Sequence, residues 1–382
     1  MAWPGQCAVH ALHAIRATHA AVNALRDTLS MSDISAGSAA NPVLVDAVRG
    51  GIVESQHRGA LAIVDADGRL HTQLGDIDRP IFARSAVKVL QALPLVESGA
   101  AEHWQLNDEE LAIACASHGG EALHTRTAAA MLAKAGVDVL ALECGAHWPY
   151  NEDAARALAA SGSAPSALHN NCSGKHAGFV CLGCHMSGKR SADDARGFLR
   201  GYVNAEHAVM REVSDALQTA TDFDLTHAAR GVDGCSIPTF AIPLRHLALA
   251  FARVATGVGL RAGHARAAKR LRQAVAHAPM LVAGTGRFDT RVMQQLGARV
   301  FCKVGAEGVY CAALPEAGLG VAIKMDDGNN ARACEVVMAA LIARLLELDD
   351  ADASFMHGLS DLALRNWNGI EVGRLRAAAA LR

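Results

Sequence analysis

The stretch ARVFCKVGAEGVYCAALPEAGLGVAIKM, residues Ala298–Met325, decides the architecture. It holds three short apolar runs, 298–304, 309–314 and 318–325, parted by Gly305–Gly308 and Pro315–Gly318. Short apolar runs joined by tight Gly- and Pro-bearing turns predict an antiparallel meander. Upstream, segments 203–218, 243–255 and 264–277 have helical spacing, as does Glu121–Ala135, which stops at Gly136. Asn107 followed by Asp108 and Glu110 predicts a helix cap with acidic first-turn residues, and Asn151 opens another helix. Near the start, Pro42–Val48, Gly51–Glu54 and Ala60–Val64 read as three short strands, and Asp67-Gly68 as a hairpin turn. Residues 331–347 read as a final helix.

Strands therefore flank a mostly helical middle. The economical architecture is an α/β fold of the α+β type. One antiparallel sheet is built from both chain ends, with helices on its faces. No repeat or linker interrupts residues 41–382, so these predict a single domain with a helical insert at about 84–280. Residues 1–40 carry His10, His13, Arg16, His19 and Arg26 along an alanine-rich helical pattern. They lack the uninterrupted apolar stretch of a secretory signal and are expected to be a peripheral extension, with Met31 as an alternative start.

Composition narrows the function classes. Of 382 residues, 51% are hydrophobic and 19% charged, which excludes a disordered chain. The formal net charge of −2 leaves no basic excess for phosphates, so nucleic acid is not expected as the main partner. No apolar run reaches the roughly 18–20 residues that span a bilayer. Ten cysteines are scattered, several of them inside apolar segments (Cys115, Cys181, Cys311, Cys334). Free buried thiols suit a reducing compartment, so a cytoplasmic location is expected. Only seven of the 36 basic residues are lysine. Arginine does not lose its proton at useful pH, whereas a desolvated lysine can become a base.

Four clusters can carry chemistry. Ser85-Ala86-Val87-Lys88 opens a helix with the hydroxyl and amine at i and i+3, where a neutral lysine can activate a serine. The alternative is a cap-like serine beside a surface lysine. Ser117-His118-Gly119-Gly120-Glu121 joins two helices, and free backbone N–H groups at such a helix start can bind an oxyanion. An ordinary helix connection has the same look. Asn170-Asn171-Cys172-Ser173-Gly174-Lys175-His176 is the densest polar cluster in the chain. With the loop Asp233-Gly234-Cys235 it offers two thiols and a nitrogen donor for Zn²⁺, although paired C-x-x-C spacing is absent. Lys303 ends an apolar strand ahead of Gly305-Ala306-Glu307-Gly308, where a lysine either snorkels or serves a site.

Other patterns point nowhere. Gly183–Lys189 has P-loop spacing but is followed by Arg190 where a Mg²⁺-binding hydroxyl belongs, and it trails a helix. Cys181-x-x-Cys184 lies in a helical apolar run, and Gly284-Thr285-Gly286 lacks a third glycine.

The ordered segments NPVLV, RGGIVES, HRGA, RSAVK, ASHGGE, NNCSGKHAG, DGCSIPTF, KVGAEGV and GLGVAIKMDDG together resemble the Rhizobium etli-type L-asparaginases, the asparaginase II family, from about Asn41 to Gly373. The resemblance implies a fold like that of serine β-lactamases and glutaminases. It places two Ser–Lys pairs on Ser85 with Lys88 and on Ser117 with Lys303. It places zinc ligands on Cys172, Lys175 and Cys235. Arg84, His176 and Asp233 match flanking family positions and, with His118, are the expected substrate-binding residues. Ser236 departs from the pattern, where glycine is expected. The implied activity is hydrolysis of L-asparagine through an acyl-enzyme, with Ser85 as nucleophile, Ser117 as its competitor and zinc orienting the substrate's charged end. The implied assembly is a homodimer. The alternatives are a glutaminase or another amidohydrolase on the same scaffold, or a silent metal- or ligand-binding homologue.

Overall fold

The computed structural model describes residues 40–188 and 192–381. The expected extension at residues 1–40 therefore lies outside the described residues except for Ala40, as do Lys189 and Arg190. Asn41–Arg382 groups as one compact unit.

Strands β1 (Val43–Arg49), β2 (Ile52–Asp65) and β3 (Leu70–Leu74) come from the N-terminal side. A second sheet takes β4 (Pro80–Phe82), β5 (Arg230–Val232) and β6 (Pro238–Pro243) in the order β4-β6-β5. Strands β7 (Phe301–Val304), β8 (Val309–Leu314) and β9 (Leu319–Met325) form the predicted meander. Strands β10 (Asp361–Arg365) and β11 (Glu371–Ala377) close the chain. The main sheet runs β10-β11-β1-β2-β9-β8-β7, with β3 also on β2, and every pairing is antiparallel. Both chain ends build it, and the middle of the chain is mostly helical.

Two readings change. Ile52–Glu54, from the expected Gly51–Glu54 run, and Ala60–Val64 belong to one 14-residue strand. The polar Ser55–Arg58 between them resembles a loop in sequence, yet it pairs with β1, while Gly59–Asp65 pairs with β9. The short strands β4–β6 and the β10–β11 hairpin were not anticipated, because they are too short or too polar to show period-two alternation.

Strands β7, β8 and β9 are buried nearly end to end, the mark of a sheet covered on both faces. Gly320 shows how closely one cover approaches. A Cβ there would lie 2.0 Å from the Ala248 carbonyl oxygen, so only glycine lets the Leu244–Thr256 helix rest on β9. In the helical region the Ser173–Ser187 helix is buried on all sides from Ser173 to Cys184. Gly174 lets it press against the Ile113 carbonyl of the Asp108–Ala114 helix. Asn107 caps that helix through a reciprocal pair with Glu110, as its sequence predicts. These packings bring Lys175, on the buried helix, and Ser117, just after the Asp108–Ala114 helix, toward the end of β7 that carries Lys303.

Candidate active site

A cavity of about 340 Å³ opens where these elements meet, within the range of small-molecule sites. Its wall includes Arg84, Ser85, Ser117, Cys172, Asp233 and Cys235. Behind the wall lie Lys88, Lys175 and Lys303, each at most 2% exposed. Three of the chain's few lysines are thus buried at one place, and burial of an ammonium requires partners.

Lys88 starts the Lys88–Gln91 helix after a tight turn at Arg84–Val87. Its Nζ donates to Ser117 Oγ at 2.9 Å, to Cys172 Sγ at 3.2 Å and to the Ala116 carbonyl. Three acceptors match the three N–H donors of an ammonium. Lys303 Nζ lies 3.0 Å from the same Ser117 Oγ and 2.8 Å from its neighbour's carbonyl, Val304 O. Burial pulls the Lys303 ammonium down to about 7 against the opposing pull of Asp289, and the charges of Lys88 and Arg287 add to the depression. A lysine near neutrality at a serine hydroxyl is able to act as a base. Strand β7 is held there by Asp289, which accepts from Val304 N at 2.9 Å and from Tyr310 Oη at 2.6 Å.

The local Ser85–Lys88 pair is not formed as a hydrogen bond. Ser85 is half-buried on the cavity wall, and its hydroxyl has no hydrogen-bond partner among the described residues. It sits in the tight turn ahead of the α-helix, while Lys88 turns inward to the acceptors that satisfy it. Arg84, just before it, has a left-handed φ of 50°, a strained setting for a side-chain-bearing residue. Its guanidinium is held by Asp233 at 2.8 Å.

Cys172, Lys175 and Cys235 converge as expected. Lys175 Nζ donates to Cys235 Sγ at 3.0 Å. The neighbouring Cys235 thiol, with the charges of Lys88 and Lys175, outweighs burial and holds the Cys172 thiol well below its usual range. Burial pushes the Asp233 carboxyl up, but Lys175 and Arg84 outweigh it and hold it low. No group of three or more His, Cys, Asp or Glu placed to hold a metal occurs among the described residues. A metal here would therefore rely on Lys175 as its third ligand. Two buried sulfurs on the cavity wall beside one amine could hold a Zn²⁺ only if Lys175, whose ammonium, against the pull of burial, the charges of Cys235 and Cys172 hold above its usual range, gives up its proton.

His118 and His176 are not on the cavity wall. Both are fully buried, and burial drives their imidazoles well below the usual range. His118 accepts from Gly120 N at 3.1 Å and bonds Ser173 Oγ at 3.0 Å, tying the Ser117 loop to the buried helix. His176 Nδ1 pairs with Tyr202 Oη at 2.7 Å. The substrate contact expected of them has no open face here, because the packing that buries the helix also buries both rings.

Several wall residues were not singled out from sequence: His147, Tyr150, Arg287 and Asn330. Asn170, Asn171 and Glu307 stood inside motifs without an individual role. Arg287 and Asn330 come from ordinary helix-start sequence and carry no local signal.

Ser236 explains its own departure from the family pattern. Its φ is 78°, a left-handed conformation that favours glycine, and its exposed hydroxyl makes no hydrogen bond among the described residues. Ser236→Gly is expected to stabilise the protein by about 0.5–1 kcal/mol, because relief of Cβ strain exceeds the added unfolded-state entropy. Thermal melting checks this, and a lower melting temperature would refute it.

The sequence profile of a family described as L-asparaginase II matches residues 45–377. No curated protein matches significantly. Similar solved structures include Mglu in its native form in 4.3 M NaCl, at 18% identity and TM-score 0.32, covering 77% of this chain and 63% of that one. Mglu in its L-glutamate binding form in 4.3 M NaCl is 17% identical with TM-score 0.32, covering 77% of this chain and 63% of that one. The chain thus spans under two thirds of the length of these structures. No helix among the described residues is long and apolar enough to cross a membrane.

Proposed function

Because the chain belongs to the L-asparaginase II family, amidohydrolases of linear amides, we propose that it is a Rhizobium etli-type enzyme that hydrolyses the side-chain amide of L-asparagine to L-aspartate and ammonia. The observation that carries the mechanism is the convergence of Lys88 and Lys303 on Ser117, at 2.9 and 3.0 Å, beside a cavity that also holds the open Ser85 hydroxyl. Ser117 is engaged by two amines and only 7% exposed, whereas Ser85 is free to meet a carbonyl. Ser117 passes its proton to neutral Lys303 while taking one from Lys88. Ser85 Oγ, which has no partner in the resting site, turns to Lys88, now neutral, and gives it the proton as Oγ attacks the amide carbon. The proton then goes from Lys88 to the departing nitrogen, the C–N bond breaks and ammonia leaves. Water repeats the sequence on the resulting ester and frees Ser85.

A second reading has Ser117 attack directly with Lys303 as its base. The 3.0 Å contact between them favours it. Cys172, Lys175 and Cys235 are the residues that would hold zinc, which would add a positive charge to the cavity wall near Asp233. Loading would be pH-sensitive, since the ligands must shed their protons, above all Lys175, whose ammonium, against the pull of burial, the two cysteines hold above its usual range. The working location is the cytoplasm and the working assembly a homodimer, the first from the free buried thiols and the second from family resemblance.

Ammonia release from L-asparagine and L-glutamine, at neutral to alkaline pH with zinc supplied or chelated, tests the reading. Turnover of asparagine above glutamine is the expected result, with a lower rate after chelation. Preference for glutamine would make it a glutaminase, and inertness toward both would discard the proposal.

A further inference from the structure

Two charged side chains on the cavity wall have no direct hydrogen-bond or ion-pair partner among the described residues, although the buried Glu335 carboxyl feels the Arg287 charge and Lys324 that of Glu307. Arg287 sits at the N-terminus of the Phe288–Leu296 helix, and its guanidinium makes no hydrogen bond or ion pair among the described residues. It is nevertheless well placed. Thr285, two residues earlier, is bound by Glu121 through its N–H at 2.9 Å and its hydroxyl at 2.6 Å, and Ser117 N donates to Val282 O at 2.9 Å. The Arg287 loop is thereby tied to the loop that carries Ser117.

Glu307 is the second. It lies in the turn after Lys303 with a left-handed φ of 55°, and its carboxylate has no hydrogen bond or ion pair among the described residues. Lys324 Nζ donates to the Glu307 carbonyl and to Met325 O at 3.0 Å, which holds the turn in place. A strained, non-glycine residue kept at a cavity points to use of its side chain. Beside it Asn330 donates to Gly305 O at 3.2 Å, while its own Oδ1 is buried without a partner. That oxygen is a further acceptor for a donor the cavity lacks.

The other charged pair on the wall, Arg84 and Asp233, is already satisfied. Arg84 bonds Asp233 at 2.8 Å, and Gly234 N donates to the same carboxylate at 2.7 Å. A zwitterion brings one carboxylate and one ammonium, and the spare charges are one guanidinium and one carboxylate. We propose that Arg287 binds the α-carboxylate and Glu307 the α-ammonium of the amino-acid substrate, so that the cavity selects free amino-acid amides. This rests on the amino-acid amide reading above and adds the residues that enforce it.

Three amides that differ only in the α groups test it: L-asparagine, 3-aminopropanamide, which lacks the carboxylate, and succinamate, which lacks the amine. Rates are read at about pH 7.5, where much of the substrate amine keeps its proton, and any change in Lys303 common to the three amides cancels in the ratios. Arg287→Met is expected to lower the asparagine to 3-aminopropanamide ratio of kcat/KM by about 100-fold, mainly through KM, and to leave the asparagine to succinamate ratio in place. Glu307→Gln is expected to do the reverse. Arg287→Lys recovers part of the loss, which a folding defect would not allow. Wild-type turnover with ratios that stay flat in both variants overturns the clamp alone. The same ratio changes in Arg84→Met and Asp233→Asn in place of Arg287 and Glu307 would also overturn it. Failure of the wild type to hydrolyse any amino-acid amide overturns the reading beneath it.

Discussion

Lys303→Met is expected to lower kcat/KM for amide hydrolysis by about 10³-fold or more, the scale of losing a general base and the nucleophile activation it supports. The wild-type log(kcat/KM) is expected to rise with pH and level off above about 7. The sign follows from the base role. Below about 7 Lys303 carries a proton and cannot accept one from Ser117, and above it the amine is free. Lys303→Arg is expected to be equally inactive, since a guanidinium keeps its proton at every useful pH. Methionine fills the same buried volume without a charge to desolvate, so its melting temperature should hold or rise. Activity within tenfold of wild type, or a profile without a transition near 7, would remove Lys303 from the mechanism.

Ser85→Ala and Ser117→Ala are each expected to cost about 10³-fold in kcat, and the double variant little more, because the residues act as one relay. The two separate in what they accumulate. Acid-quenched wild type with peptide mapping by mass spectrometry should place the acyl group on Ser85. Ser117→Ala should still form that ester slowly, since it removes the bridge between Lys88 and Lys303 but not the attacking oxygen. Ser85→Ala should form none. An acyl group on Ser117, or ester formation in Ser85→Ala, would make Ser117 the nucleophile with Lys303 as its base and reduce Ser85 to a wall hydroxyl.

Much of this was legible in the chain. The meander at 298–325 and the strands after Asn41 announce a sheet built from both ends, because short apolar runs between glycine turns have few other uses. The Asn107 and Asn151 caps and the stop at Gly136 are local backbone chemistry and fall where expected. The scarcity of lysine drew attention to all seven, the motifs singled out Lys88, Lys175 and Lys303, and those three are buried at the cavity. The β10–β11 hairpin and the continuity of β2 through Ser55–Arg58 escaped, since pairing with β1 stabilises them and their own side-chain pattern does not.

What the sequence by itself determined is the inventory: which residues are chemically able, and which helix or strand each occupies. Helix and strand periods, caps and turns are set within a few residues and can be read one segment at a time. Only the tertiary structure decided the partnerships. Spacing alone pairs Lys88 with Ser85 three residues away, yet its amine goes to Ser117, 29 residues on, and to Cys172, 84 residues on. Lys303 reaches the same hydroxyl across 186 residues. Burial then decided function further, drawing Lys303 toward neutrality and withdrawing His118 and His176 from the cavity wall. Contacts between distant segments and the loss of water around them are properties of the packed whole, and no local spacing encodes them.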